Sequence, residues 1–534
     1  MQLITVFDLG DPNADGLSAE HFSRKHLWDQ ARHALEVSSG ILSFRVLFAN
    51  VIFSLTQQPL DISNDIRSMD PRKTQSCKEQ VNGEPAHVAG TPKVDQQNGL
   101  FNNDCSPLFL DTAVRQLFTI RYKMTRIQRM ERKASRQSSL YKISPCSNSQ
   151  HRREESSQTS SEAPQNQLLS PEDNETFNLL FWLGVMFDSV TAALHQRPPV
   201  VSDEDSEISC TAPLCQPQVF RNENRNDSDH YSTTSDKPTK KKPEVWGDLF
   251  LRKRAVGQGY NIPRWPCHYK DAAETLSDIA PVKVLFFRRI ARIQTLVYRE
   301  SEPEILKRAI QEAFWVYRHW NSTYRQFIID CVKNHDKLPP RIQSWYVILA
   351  AHWYLGTMLL ADNLESIDEE EIGLDLQRES RQAINLVSTL RRENAVAVSD
   401  LAHCSLHGHD PSFAKARQFH DSVNETAFLT EPWTVVLIHS FAKAGHILLN
   451  EADASPYTQN DPLEQARLQC GYCLEALWCL GRKSDRALLA ARDLSRSETK
   501  FREKHSQSYT LASGFTMDES LSTIPDGYDI EIPI

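Results

Sequence analysis

The sequence predicts an all-α fold: a multi-helix domain interrupted by long disordered insertions. Apolar residues recur at helical spacing through most of the apolar stretches, whereas the apolar/polar alternation of strands is scarce. The chain has 534 residues, of which 40% are hydrophobic, with 27 Pro and 18 Gly. This length suffices for a sizeable core, and the low apolar share indicates that polar segments dilute it.

The N-terminal third holds four predicted helices. Residues 21–60 are expected to form two, the second with Ser38 or Ser39 as N-cap and Pro59 as its stop. Asp111 is the predicted cap of the third, in which Leu117, Ile120, Met124 and Ile127 lie at helical spacing. The fourth is a nearly all-apolar helix over residues 177–195.

The C-terminal half reads as a series of amphipathic helices. They are expected over residues 279–298, 305–333, 341–362, 375–390, 429–450 and 463–480. The most apolar run, residues 347–361, is shorter than the roughly 20 residues that span a bilayer. We therefore predict a buried core helix there, and no membrane association.

Composition shifts predict the domain boundaries. The expected parts are an N-terminal segment (1–20), one helical domain (21–494) and a polar C-terminal tail (495–534). Polar insertions rich in Ser, Pro, Asn and Lys are expected within the domain near residues 62–104, 134–172 and 202–243.

Charge and motifs narrow the function classes. The formal net charge of −9 gives no reason for strong non-specific DNA binding by the whole chain. The N-terminus lacks the pattern of a secretory signal, so the 11 Cys are expected as thiols. No dinucleotide, P-loop, serine-hydrolase, zinc-protease or kinase signature occurs, and we predict no enzyme activity and no catalytic residues.

Two clusters carry metal-ligand residue types. His403, His407 and His409 lie in LAHCSLHGHD, which could hold a metal but is interpreted as a polar loop between helices. Residues Cys470, Cys473 and Cys479 lie in an apolar helical stretch, where free Cys packs as a small hydrophobe. We predict no metal site and no cofactor in this chain.

Two basic stretches have alternative interpretations. Residues 121–136 could contact phosphates or an import receptor, but the favoured interpretation is the solvated face of an amphipathic helix. Lys240, Lys241 and Lys242, followed by Pro243, form a short candidate nuclear localisation signal.

Asp188 is the one acid in the apolar helix FWLGVMFDSVTAAL. Burying an ionised carboxylate is costly unless it is paired or hydrogen-bonded. Since no second acid or nucleophile stands nearby in the sequence, we expect a structural partner from another helix. The helix is expected to stop before Pro198 and Pro199, because a residue before Pro is disfavoured in the α region.

This stretch resembles the signature of the fungal-specific transcription factor domain, the middle homology region of zinc-cluster regulators. The matching positions are the aromatic pair Phe181 and Trp182, the helix acid Asp188, the turn residues Arg197 and Pro198, and the acids Asp203 and Asp205. Gln196 stands where many members have Gly. A weaker likeness to activators of the ethanol-utilisation type extends along the helical chain.

The resemblance implies a nuclear regulator of RNA polymerase II genes, whose helical domain modulates activation. The expected partners are proteins of the transcription machinery, a second copy of the chain in a dimer, and a small-molecule effector. The family's DNA reader needs six closely spaced cysteines that hold two zinc ions, and this sequence has no such cluster. DNA binding is thus expected only with an upstream zinc cluster.

Two alternatives stay open. The chain could be a DNA-binding-deficient modulator that acts through contacts with a full-length relative. Less favoured is a helical ligand-binding protein or enzyme with its site near His403, His407 and His409.

Overall fold

Helices make up most of the described chain, and no strand occurs within it. The computed structural model describes residues 14–60, 106–141, 170–202, 264–407, 434–454 and 460–514. The N-terminal helices are α1 (Ala14–Val37), α2 (Phe44–Ser54), α3 (Ser106–Tyr141) and α4 (Pro171–Leu194). They are followed by α5 (Tyr269–Tyr298), α6 (Pro303–Thr323), α7 (Arg325–Lys333), α8 (Pro340–Glu369), α9 (Asp375–Ala383), α10 (Leu386–His407), α11 (Thr434–Ala454), α12 (Asn460–Gly481) and α13 (Asp485–Gly514). The predicted all-α class is confirmed, while the predicted insertions lie largely outside the described residues.

One continuous core joins these helices. Helices α2, α3 and α4 pack on one another, and α4 packs on α5. Helix α5 contacts α6 and α8, and α8 contacts α10 and α11. Helices α11, α12 and α13 pack pairwise at the far side. The buried apolar cluster runs from Leu47 on α2 to Phe501 on α13, so the described helices share a single core.

An aromatic stack lies at the centre of this core. The Trp353 ring on α8 stacks on Trp320 of α6, with centroids 4.0 Å apart, and on Phe286 of α5, with centroids 4.4 Å apart. Offset or edge-on aromatic pairs add about 0.5–1.5 kcal/mol each to their area burial. The stack therefore ties three helices to one another.

Helix α2 begins later than predicted. Its N-cap is Ser43, whose Oγ accepts a hydrogen bond from the Arg45 N–H at 3.3 Å, whereas Ser38 and Ser39 lie in the preceding turn. The helix ends at Ser54, five residues before Pro59. Several serines precede the apolar run, and only the one that meets a free helical N–H acts as the cap.

Helix α3 begins earlier than predicted and ends later. It starts at Ser106, so Asp111 lies inside the helix and is not its cap. It continues to Tyr141, into the stretch from residue 134 that was expected to be disordered. Helix α13 likewise runs past residue 494, and Phe501 is buried, so the core extends into the expected polar tail.

Two predicted helices are each divided in the structure. The stretch 305–333 is split between α6 and α7 at Tyr324, and the stretch 375–390 between α9 and α10 at Asn385. Asn385 has a φ of 47°, the left-handed region that Asn tolerates better than most residues. Since the apolar spacing continues across both breaks, periodicity alone did not reveal them.

Two helices are long and apolar enough to cross a bilayer by length and composition alone. They are Glu172–Leu194 and Pro340–Glu369, and 67% and 72% of their most apolar windows lie buried inside the protein. The apolar run 347–361 thus belongs to a helix of 30 residues. A mostly buried core helix passes the same test, so this is weak evidence for a membrane span.

The segment after α2 is held by α13. The Leu60 N–H donates to Asp485 at 3.0 Å, and Arg24 of α1 donates to the same carboxylate at 3.3 Å. Ser484 donates to the Gln57 side chain, and its Oγ caps α13 by accepting the Ala487 N–H at 3.2 Å. The first described helices are therefore anchored to the last one.

Candidate functional site

The C-terminal end of α4 forms a Schellman-type cap. The Arg197 N–H donates to the Ala192 carbonyl at 2.9 Å, the six-to-one bond that defines this motif. His195 is the C-cap, and Gln196 follows it with a φ of 51°. The left-handed residue turns the chain sharply, so that the next residues run back along their own helix.

Asp188 lies where the returning chain meets α4. Its side chain has 0% exposure. Its carboxylate accepts the Val200 N–H at 2.8 Å, the Val201 N–H at 3.2 Å and the Arg197 Nη1 at 3.2 Å. The hydrogen bonds to Asp188 thus come from its own turn, whereas the partner from another helix, Arg288 of α5, acts on the carboxylate through its charge. We call Asp188, Gln196, Arg197, Val200 and Val201 the Asp188 turn.

Neighbouring helices hold the Asp188 turn on both sides. Arg197 Nη2 lies 3.0 Å from Asp111 Oδ1 on α3. From α5, buried Arg288 donates to the Val201 carbonyl at 2.7 Å and to Ser189 Oγ at 3.2 Å. The turn therefore links α3, α4 and α5 through charged groups, which are stronger hydrogen-bonding partners than neutral ones.

The aromatic pair of the signature lies two turns earlier on α4. Phe181 is buried against Phe177, with centroids 5.8 Å apart, and the Arg121 guanidinium of α3 lies 4.7 Å over its ring. Trp182 is half-buried and packs against the core. Phe181 thus contributes to the α3–α4 contact, with Arg121 of α3 as its cation–π partner.

The electrostatics of Asp188 suit a structural role. Burial raises the pKa of this carboxyl, while Arg197, the Val201 N–H and Arg288 lower it. Its two oxygens already accept three donors, so it has little capacity left for a substrate. The arrangement can fix a chain reversal, and it places no reactive group in an open cleft among the described residues.

The structure describes two of the three histidines of the predicted cluster, His403 and His407. His403 lies in α10 and its ring packs on Tyr472 of α12, with centroids 4.1 Å apart. His407 ends α10, and His409 lies outside the described residues. The stretch before residue 408 is therefore helix, and the loop prediction was wrong there. Within the described residues, no group of three or more His, Cys, Asp or Glu could hold a metal.

A buried polar chain that the sequence reading missed lies between α8 and α10. His335 Nδ1 lies 2.7 Å from the Tyr346 hydroxyl, which lies 3.4 Å from Cys404 Sγ. Burial raises the pKa of Cys404 to about 11, so its thiol is protonated at neutral pH. His335, Tyr346 and Cys404 lie on separate elements, so no local sequence motif indicates that they meet.

The cysteines of α12 do not fit the family's zinc cluster. Cys470 and Cys473 are buried among apolar side chains, and Cys479 is half-buried on the same helix. Burial raises the pKa of Cys470 to about 12, whereas zinc binds the thiolate. In the described part of the chain these residues pack as thiols.

The remaining signature residues are not all described. Asp203 and Asp205 follow the Asp188 turn but lie outside the described residues, as do Lys240, Lys241 and Lys242. Pro198 is exposed, and its carbonyl accepts the Arg197 Nη1 at 3.0 Å.

Comparison with known proteins gives no assignment. No family model matches the chain. No curated protein and no solved structure matches it either.

Proposed function

We propose that this protein regulates transcription by RNA polymerase II in the nucleus, with its helical domain modulating activation and catalysing no reaction. Its expected partners are proteins of the transcription machinery, a second copy of the chain and a small-molecule effector. DNA sequence would be read by a zinc cluster joined to this chain, since the chain's own cysteines lack the required spacing.

The geometry of the Asp188 turn is the observation that carries the proposal. The signature positions Asp188 and Arg197 contact each other directly, at 3.2 Å. Gln196, where many family members have Gly, has a φ of 51°. Glycine adopts this conformation without steric cost, which gives a physical reason for glycine at that position of the pattern. The resemblance is thus supported by a folded unit as well as by residue types.

A tethering experiment tests the proposal. The full chain is fused to an unrelated sequence-specific DNA-binding domain and expressed in a fungal cell that carries a reporter with the matching sites. We expect reporter transcript to change at least fivefold, up or down, relative to the DNA-binding domain alone. An unchanged reporter at equal nuclear amounts of the fusion would overturn the proposal.

The same cells test the nuclear assignment. A fluorescent fusion of the unmodified chain is expected in the nucleus, and changing Lys240, Lys241 and Lys242 to Gln should reduce that accumulation. Exclusion of the unmodified chain from the nucleus under every growth condition tried would contradict a nuclear regulator.

A further inference from the structure

The second half of α3 extends away from the core of the protein beyond Met124, which is half-buried and still packs against that core. Val114, Leu117 and Ile120 are buried, but no described side chain of this helix beyond Ile120 is buried. The helix nevertheless continues to Tyr141, 21 residues further. At 1.5 Å per residue, this half is about 31 Å long. The described exposed side chains of this half, which lie between Tyr122 and Ala134, are therefore left for contacts outside the bundle.

That surface is strongly cationic. The sequence from Arg121 to Arg136 contains five Arg and two Lys against one acid, Glu131. The side chains of Lys123, Arg126, Arg129 and Lys133 are exposed, and we call them the basic strip. Arg126, Arg129 and Lys133 follow Tyr122 at i+4, i+7 and i+11, so these three cations share one side of the helix with Tyr122. Lys123 lies beside that side, about 100° around the helix from Tyr122.

The sequence places no acidic residue three or four positions from any member of the basic strip, which is the spacing at which side chains of one helix meet. Some exposed cations elsewhere in the described chain do pair one turn away, as Arg32 does with Glu36 and Arg502 with Glu498. No ion pair joins the basic strip to another residue in the part of the chain that the structure describes. Instead Arg129 lies within one turn of Arg126 and Lys133, and like charges at this spacing repel each other.

We propose that the basic strip binds the phosphate backbone of duplex DNA without reading base sequence. A helix with its side chains is about 10–12 Å wide and fits the major groove, which is about 12 Å wide. Lys123 and Lys133 are ten residues apart, or about 15 Å along the helix, which spans several phosphates of each strand. The Arg guanidinium also matches the geometry of phosphate oxygens.

The apolar content of this surface argues against a lipid membrane as the ligand. Among the described side chains of this half of α3, Tyr122 and Met130 are the large hydrophobic residues that are exposed. A helix that lies in a membrane interface needs a continuous apolar face, which two such residues do not provide. This proposal rests on the proposed function. A contact with the DNA backbone would hold the regulator near the DNA sites that a separate zinc cluster selects.

The test measures binding of the full chain to a fluorescent 20-base-pair duplex of arbitrary sequence by anisotropy, at several salt concentrations. The first variant changes each residue of the basic strip to Gln. The control variant removes the same charge from exposed cations of other elements, Arg299, Arg308, Arg318 and Arg341, again by change to Gln. Thermal unfolding of both variants checks that the fold is kept.

We expect the unmodified chain to lose affinity steeply with salt, because each neutralised phosphate contributes a slope of about −0.9 in log K against log salt. The strip variant should bind at least tenfold more weakly, with a slope smaller in magnitude by about 3 to 4. The single changes Arg129→Gln and Lys133→Gln should each reduce the magnitude of the salt slope by about 1. The control variant should bind within twofold of the unmodified chain.

Three outcomes would overturn the proposal. They are no binding by the unmodified chain at low salt, equal weakening in the strip and control variants, and strip-dependent binding to polyglutamate as tight as to DNA. The last would assign the strip to an acidic protein. In the tethering experiment the fused domain attaches the chain to DNA, so its outcome does not depend on the basic strip. An unchanged reporter together with strip-dependent DNA binding would therefore contradict the regulatory function and leave the DNA-binding proposal standing.

Discussion

The Asp188 carboxylate and the Arg197 guanidinium are nine residues apart in the sequence and 3.2 Å apart in space. The helix between them ends and reverses, so the ion pair closes a loop on its own helix. Asp188 is completely buried, whereas the Asp111 side chain, which lies beside the same guanidinium, is 28% exposed. One arginine thus has a buried and a partly exposed acidic partner.

Replacing the buried acid should be costly. We expect Asp188→Ala to lower the free energy of unfolding by about 3–5 kcal/mol, because the Val200 and Val201 N–H groups lose their acceptor and Arg197 keeps Asp111 as its acidic partner in place of two carboxylates. Denaturant unfolding followed by circular dichroism measures the loss. The matched change Asp111→Asn removes the outer partner of the same arginine and should cost about 1 kcal/mol or less. Equal losses in the two variants would contradict a dominant role for the buried contact.

Relieving the backbone at Gln196 should have the opposite effect. Its φ of 51° is unfavourable for a side chain, so Gln196→Gly is expected to stabilise the protein by about 0.5–1 kcal/mol despite greater freedom in the unfolded chain. The control is Gln311→Gly, an exposed position inside α6, which should lose about 1 kcal/mol. The urea midpoints of the two variants show whether each change raises or lowers stability. Lower stability in both variants would rule out relief of backbone strain at Gln196.

A close approach between α11 and α13 gives a third test. A Cβ atom at Gly445 would lie 2.5 Å from Leu494 Cδ2, and Leu494 is buried with little room to move. We expect Gly445→Ala to destabilise the protein by about 1–3 kcal/mol through overpacking. Gly471 on α12 has nothing within 4 Å of such an atom, so Gly471→Ala should gain about 0.5–1 kcal/mol. Thermal unfolding of the pair measures the difference, and equal shifts would refute the steric argument.

His352 makes stability depend on pH. Burial, aided by the nearby charge of Lys283, lowers its pKa well below the usual value of 6.5. The unfolded chain then binds a proton that the folded chain does not, so this contribution is complete above pH 6.5 and is lost as the pH falls below it. The expected loss is about 1.4 kcal/mol per pH unit. Unfolding of the unmodified chain and of His352→Gln between pH 7.5 and 5 measures it, and parallel profiles would show that another group is responsible.

The sequence predicted the buried faces of the helices better than their ends. Leu117 and Ile120 are buried at the spacing expected, because a helix must place such residues on one side to reach a core. Asp111 was misread because caps are judged from local residue types. Its actual partner, Arg197, lies in a segment brought close only by the packing of α3 on α4.

The candidate site was predictable to the extent that it is local. The Asp188 turn lies within fourteen residues, from 188 to 201, and its Asp, Arg and Pro were all noted from the sequence. The positive φ at Gln196 and the return of Val200 to Asp188 were not predicted, since Gln gives no turn signal. The contact of Arg288 with Val201 depends on tertiary packing across 87 residues.

The anchoring of Leu60 and Arg24 to Asp485 has a consequence for synthesis. Leu60 precedes Asp485 by 425 residues and Arg24 precedes it by 461. At about 5–20 residues per second, roughly 20 to 90 seconds pass before the ribosome has synthesised Asp485, whose carboxylate both donors need. During that time Arg24 of α1 and Leu60 after α2 lack their contact with Asp485. Docking of Arg24 and Leu60 on α13 is thus among the last folding events of these helices.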